Sequence, residues 1–222
     1  LGHVVASGVV HVVYFLLVGL AYRAAHYTAV YPITRGSAPL FTALLAAGIL
    51  GETLGLSGWL GVGLICCGVL LLGWDGIRRG GLTSASLLIA GANIAVIVGY
   101  TLLDGVGSRV SQNPAGYVLV MMALTGLLLL VTLIAWQGRG IVASMAPMWR
   151  VGLIGGAMVI LSYGVALWAM TKAPIGMVAA LRETSVLFAA VIGAVLLKER
   201  FGPIRWVASA LVLTGLLLIR AG

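Results

Sequence analysis

Residues 35–75 read RGSAPLFTALLAAGILGETLGLSGWLGVGLICCGVLLLGWD, and residues 182–222 read RETSVLFAAVIGAVLLKERFGPIRWVASALVLTGLLLIRAG. One shift of 147 positions, with no gap, lays Arg35 on Arg182, Phe41 on Phe188, Leu50 on Leu197, Glu52 on Glu199, Gly55 on Gly202, Trp59 on Trp206 and Gly68 on Gly215. Leu70 and Leu71 fall on Leu217 and Leu218. Leucines coincide easily in an apolar chain. Arg, Glu and Trp at a single offset do not, so the chain carries an internal repeat.

Both copies are strongly apolar, and so is the rest of the chain. Of 222 residues, 62% are hydrophobic and 8% charged, and the mean hydropathy is +1.17. A soluble domain is about 25% charged. Too few polar residues exist here to wrap a core in polar surface. The composition excludes a soluble globular enzyme, a disordered tail and a disulfide scaffold. Thirteen Lys and Arg against five Asp and Glu give a formal charge of +8. The basic residues stand singly or in pairs between apolar runs and form no stripe. They read as flanking charges that orient spans and touch anionic headgroups, and no nucleic-acid partner is expected. Cys66 and Cys67 are adjacent, and helix neighbours point about 100° apart. They are poor disulfide partners and read as small packing residues without metal or redox roles.

A spanning helix needs about 20 mostly apolar residues. No charge occurs between Glu52 and Asp75, Arg79 and Asp104, Arg109 and Arg139, or Arg150 and Lys172. These windows predict spans near 56–74, 82–103, 116–136 and 151–171. The stretches 4–25, 28–50 and 175–197 carry few interruptions, and a last one runs from Trp206 to Ile219. Eight spans are expected. The first is not a signal peptide: it is too long, contains His11 and ends in Tyr22-Arg23 instead of a small-residue cleavage site. Continuous apolar runs favour helices over the short alternating segments of a barrel. Glycine, at 32 residues, suits close helix packing in lipid, with Gly61, Gly63 and Gly68 as examples. Trp59, Trp74, Trp136, Trp149 and Trp206 fall at span ends and read as interface anchors.

The repeat has an architectural consequence. Residues 1–75 match 148–222, while 76–147, two spans, have no counterpart at the front. The expectation is that residues 76–222 form a complete five-helix unit and 1–75 the last three helices of another. The chain begins with Leu, and about 72 residues (147 less 75) carrying two spans are expected upstream. The complete protein would be all-α, ten helices in two five-helix halves. An odd number of spans turns one half upside down relative to the other. Inverted repeats are the signature of secondary transporters, with the site at the midplane between halves.

The segment from Tyr31 to Phe41 (YPITRGSAPLF), followed by Leu50-Gly51-Glu52, resembles the drug/metabolite transporter superfamily, EamA family. So does Ala180-Leu181-Arg182-Glu183-Thr184-Ser185, followed by Leu197-Lys198-Glu199-Arg200-Phe201. The similarity covers nearly the whole chain and occurs twice. It implies ten helices in two inverted five-helix repeats, a multi-pass protein of the cell (plasma or inner) membrane, and a central cavity. It also implies export of small metabolites or amino acids, often with protons exchanged. The chain departs from that pattern by lacking the first two helices, which help line such a cavity.

Ionisable groups inside spans are costly, so they are candidate functional residues. Arg35 lies seven residues into span 28–50, about 10 Å deep. Arg182 holds the matching place in 175–197, with Glu183 beside it. Two readings are open for the arginines. They bind a carboxylate of the substrate through the guanidinium fork, or they cap carbonyls and pair with Glu183. Glu183 reads as the deep acid of the chain, a proton carrier or half of a fixed ion pair. Glu52, Glu199, Asp75 and Asp104 sit near span ends and read as boundary residues. Pro32, Gly36 and Pro39 bracket Arg35, so that helix is expected to kink or partly unwind there. Tyr31, Asn93, Tyr100, Tyr163 and Trp168 are candidate cavity-lining residues, each also explicable by packing. His11 reads as packed and hydrogen-bonded.

A membrane-embedded transferase needs clustered acids or His-acid pairs. The five acids are mutually remote in sequence, no paired-Asp or His-x-x-His spacing occurs, and His3, His11 and His26 have no deep acid nearby. No metal spacing or phosphate-cradling Gly-Lys-Ser/Thr loop is present. No enzyme activity and no cofactor are expected. A non-transporting structural membrane protein would not require deep charges in both copies. The partners expected are a small, carboxylate-bearing substrate and lipid, for a monomer or homodimer. Charge bias puts the connections holding Arg23, Arg78, Arg79, Arg139, Arg150, Lys198, Arg200 and Arg205 in the cytoplasm and both chain ends outside. The family resemblance implies both ends inside.

Overall fold

A computed structural model describes residues 2–23, 27–74, 77–78, 83–189 and 202–221, with the side chains of 23 and 27–29 outside that set. The elements are helices: α1 (Gly2–Arg23), α2 (Tyr27–Leu50), α3 (Leu56–Leu72), α4 (Ser84–Ser111), α5 (Pro114–Gln137), α6 (Gly140–Met145), α7 (Trp149–Met170), α8 (Ile175–Arg182) and α9 (Pro203–Ala221). A single 3₁₀ turn, Ala146–Met148, joins α6 to α7. In hydrocarbon every backbone group must be paired within the chain, and long apolar runs achieve this as helices.

Among the described residues six helices are long and apolar enough to cross a membrane: Gly2–Tyr22, Val30–Leu50, Ser84–Ser111, Pro114–Gln137, Gly140–Met170 and Pro203–Ala221. Two of the eight expected spans are not among these six. α3 has 17 residues, about 26 Å of rise, slightly under the roughly 30 Å hydrocarbon core. The stretch expected at 175–197 begins as an eight-residue helix to Arg182, turns at 183–184 and is helical again over 185–189; its residues from 190 onward lie outside the described set. A third difference concerns span 82–103. The charge-free window ended at Asp104, but α4 continues through Asp104 and Arg109 to Ser111. It stops where Asn113 caps the next helix, accepting from the Gly116 amide at 2.9 Å, with Pro114 at its first turn.

The chain divides into two compact units. One comprises 1–15 and 103–172, the other 16–102 and 173–222. In the first, α5 packs on α7. In the second, α3 packs on α9 and α2, and α8 packs on α2 and α3. Its core is Ala43, Val62, Ile65, Cys66, Val69, Ala180, Val212 and Ile219. The α3–α9 contact is close because small residues meet there. A Cβ on Gly61 would lie 2.7 Å from the Gly215 carbonyl, and one on Gly68 would lie 2.8 Å from the Ala208 carbonyl. Gly63, by contrast, faces open space. Cys66 is buried and Cys67 exposed, as neighbours on a helix diverge.

Candidate functional site

In the unit formed by 16–102 and 173–222, α2 carries Arg35 and the end of α8 carries Arg182 and Glu183. Arg35 Nε lies 3.2 Å from Glu183 Oε2, with the Glu183 side chain 7% exposed. The guanidinium also sits 5.9 Å from the centre of the Tyr31 ring, within cation–π range. Arg182 acts electrostatically on the same carboxylate. The backbone is irregular at the acid. Glu183, Thr184, Val186 and Leu187 donate their amides three residues back, to Ala180, Leu181, Glu183 and Thr184. This 3₁₀ tightening inside an apolar segment is the kind that marks a hinge or functional position.

Pro32 and Pro39 lie inside α2, which stays helical from Tyr27 to Leu50. Proline 39 has no N–H, so the Arg35 carbonyl lacks its usual helical donor. The space beside Gly36 is filled by Leu70, whose Cγ would be 2.5 Å from an added Cβ. The loop after α2 also reaches α8: Glu52 Oε2 accepts the Ile175 amide at 2.7 Å. A carboxylate at a helix N-terminus satisfies an otherwise orphaned amide and the helix dipole together.

In the unit formed by 1–15 and 103–172, a second acid is buried. Asp104, read from sequence as a boundary residue, is 0% exposed. Its Oδ1 accepts from Tyr117 at 2.9 Å and its Oδ2 from Tyr163 at 2.5 Å. His11 Nε2 stands 4.0 Å from Oδ2. His11 Nδ1 lies 3.0 Å from the Ser7 carbonyl and 3.2 Å from the Ser7 hydroxyl. The Tyr163 ring meets the His11 ring edge-on at 5.9 Å. Tyr117 can lie against α4 because residue 107 is Gly; a Cβ there would be 2.5 Å from the Tyr117 hydroxyl. The expectation that no histidine has a deep acid nearby is therefore overturned, and His11 and Asp104 join the candidates. His11 is also packed and hydrogen-bonded, as expected.

Of the residues singled out from sequence, the structure brings Tyr31, Arg35 and Glu183 together and puts Tyr163 on Asp104. Asn93 is buried and donates to Ile89 O of its own helix at 3.0 Å. Tyr100 is buried as well. Trp168 is 57% exposed, on an outward stripe with Leu161 and Val165, while Tyr163, Leu167 and Met170 form the buried face of α7. Glu199 and Lys198 lie outside the described residues. Two apolar concavities of about 890 and 470 Å³ carry no charged side chain in their linings.

Asp104 was missed because a span boundary drawn at each charge assigns every acid to an end. Helix continuation to Asn113-Pro114, a strong start signal for the next helix, was the cue that would have found it.

No curated protein sequence and no solved structure matches the chain. Residues 83–221 match the profile of the EamA-like transporter family. That stretch is more than half of the chain and contains both Asp104 and Glu183. The protein is thus a multi-pass membrane transporter and not an enzyme, and its chain belongs to the EamA-like transporter family.

Proposed function

We propose that the protein is a secondary-active exporter of small carboxylate-bearing metabolites, amino acids among them, with residues 1–75 and 76–222 belonging to two inverted repeats. The observation that carries this reading is the pairing of the half-buried Arg35 with the buried Glu183, with Arg182 acting on the same carboxylate. It presents both signs of charge at one place inside spans, where charge is costly and therefore informative. An amino-acid zwitterion is complementary to it: carboxylate to the guanidinium fork, ammonium to Glu183. A proton and an ammonium group compete for one carboxylate, and mutual exclusion of that kind couples export to proton entry. Tyr31 covers the guanidinium, and the 3₁₀ tightening at Glu183 supplies a segment able to shift between two backbone arrangements.

The α3–α9 interface supports the inverted arrangement. The 147-residue shift carries Gly61 to Ala208, Ile65 to Val212 and Gly68 to Gly215. The contact of Gly61 with Gly215 then maps onto that of Gly68 with Ala208, and the contact of Gly68 with Val212 onto that of Gly215 with Ile65. Contacts that exchange under the repeat, between helices running in opposite directions, are what a two-fold axis in the membrane plane produces.

The test is efflux of labelled amino acids from liposomes holding the protein, against the amines that lack only the carboxylate. Transport of the amino acids alone is expected, lowered at least tenfold by Arg35→Gln and substantially by Arg182→Lys. Equal transport of both compounds, or an Arg182→Lys variant that works normally, breaks the carboxylate reading. Glu183→Gln should abolish the response to a pH gradient; an unaltered response breaks the exchange reading.

A further inference from the structure

We propose that His11 and Asp104 form a proton-binding site, separate in its residues from Arg35 and Glu183, in which one proton is held as an imidazolium against a carboxylate. His11 Nδ1 lies 3.0 Å from Ser7 O and 3.2 Å from the Ser7 hydroxyl; a backbone carbonyl only accepts, so a ring that uses the nearer contact carries its hydrogen on Nδ1. A neutral imidazole has one N–H. In that tautomer a neutral ring would turn the Nε2 lone pair toward Asp104 Oδ2, 4.0 Å away.

The carboxylate is built to be an anion. Each oxygen accepts a phenol hydroxyl, Tyr117 at 2.9 Å and Tyr163 at 2.5 Å, and a carboxyl group that only accepts is the ionised form. A fully buried anion within membrane helices is costly unless a cation faces it. A proton on His11 Nε2 supplies that cation. The binding step is His11 plus a proton giving the imidazolium, with Asp104 anionic throughout; release leaves one net negative charge behind.

The surroundings leave His11 as the counter-charge. α5 contributes Tyr117 and α7 contributes Tyr163, both of which donate to Asp104. From α1, Ser7 holds Nδ1. On α4 itself, Ser108 donates to Gly105 O at 2.9 Å, and Arg109 directs Nε to Met170 O at 2.7 Å. Four helices thus converge on a group whose charge depends on one exchangeable proton. Arg35, facing Glu183, is permanently charged, whereas the cation facing Asp104 exists only while its proton is bound.

The test is nitrogen NMR of the full chain with labelled histidine, reconstituted in lipid, with His3→Gln and His11→Gln used to assign resonances. At pH 7 His11 should be protonated on both nitrogens. Asp104→Asn keeps the shape and an acceptor oxygen, and should leave His11 protonated on Nδ1 alone. A pH jump read by an indicator dye should show about one fewer proton taken up per chain in His11→Gln, the count that a single imidazole titrates. A wild-type His11 singly protonated from about pH 8 to pH 5 overturns the site. So does a doubly protonated His11 that survives in Asp104→Asn. Should Asp104→Asn fail to fold, the wild-type resonance and the proton count still decide. None of these readings depends on a transported substrate.

Discussion

Among the described residues each of the two units buries one acid, and the two acids are neutralised by different chemistry. Glu183 meets a guanidinium directly at 3.2 Å. Asp104 meets two phenols and an imidazole, with the nearest nitrogen at 4.0 Å. The first arrangement depends on a fixed charge and fails if that charge is removed. The second is spread over four helices, and each partner contributes part. The difference shows how one membrane protein can face one buried acid with a fixed charge and another with a charge that depends on a bound proton.

The sharpest way to break the contrast is Arg35→Ala. It leaves the buried Glu183 with only the field of Arg182 and should destabilise the protein by about 3 kcal/mol, the low end for breaking a buried pair, because Arg35 is half-buried. Adding Glu183→Gln should recover most of the loss. Unfolding in detergent, followed by helical circular dichroism, measures both; a single variant as stable as wild type shows the pair to be slack.

Asp104→Ala should cost less, about 2 kcal/mol for phenol hydroxyls left without an acceptor, and Tyr163→Phe about 1 kcal/mol. If Tyr163→Phe equals Asp104→Ala, the acid is held by one partner and the distributed picture is wrong.

Packing gives smaller effects in the same assay. Gly61→Ala would press a methyl group against a backbone carbonyl of α9 and should cost about 1–3 kcal/mol. Gly63→Ala meets nothing within 4 Å and should be neutral or stabilising by up to about 1 kcal/mol. Equal behaviour of the two glycines would mean that α3 does not approach α9 as described.

Helical class, membrane residence and most spans were legible because continuous apolar runs admit few other structures. Arg35 and Glu183 were legible because each lies inside an apolar window, where a charge stands out. Asp104 was invisible for the converse reason: using charges as window edges hides any charge that a helix carries inward. His11 could be placed on a helix but its partner could not, since the two are 93 residues apart and packing alone joins them. The irregular backbone was expected beside Arg35, where two prolines lie. α2 stays helical through both prolines, without unwinding, while Glu183, where no proline signals it, has 3₁₀ backbone.

The bond from the Ile175 amide to Glu52 closes 123 residues of chain. During synthesis the carboxylate is made long before the amide it accepts exists. At about 5–20 residues per second the interval is roughly 6–25 s. The first turn of α8 therefore acquires its cap only after α3, α4, α5 and α7 have already left the ribosome. That clasp is a mark of completion: the connection after α2 settles when the last third of the chain arrives, not when its own helix is inserted.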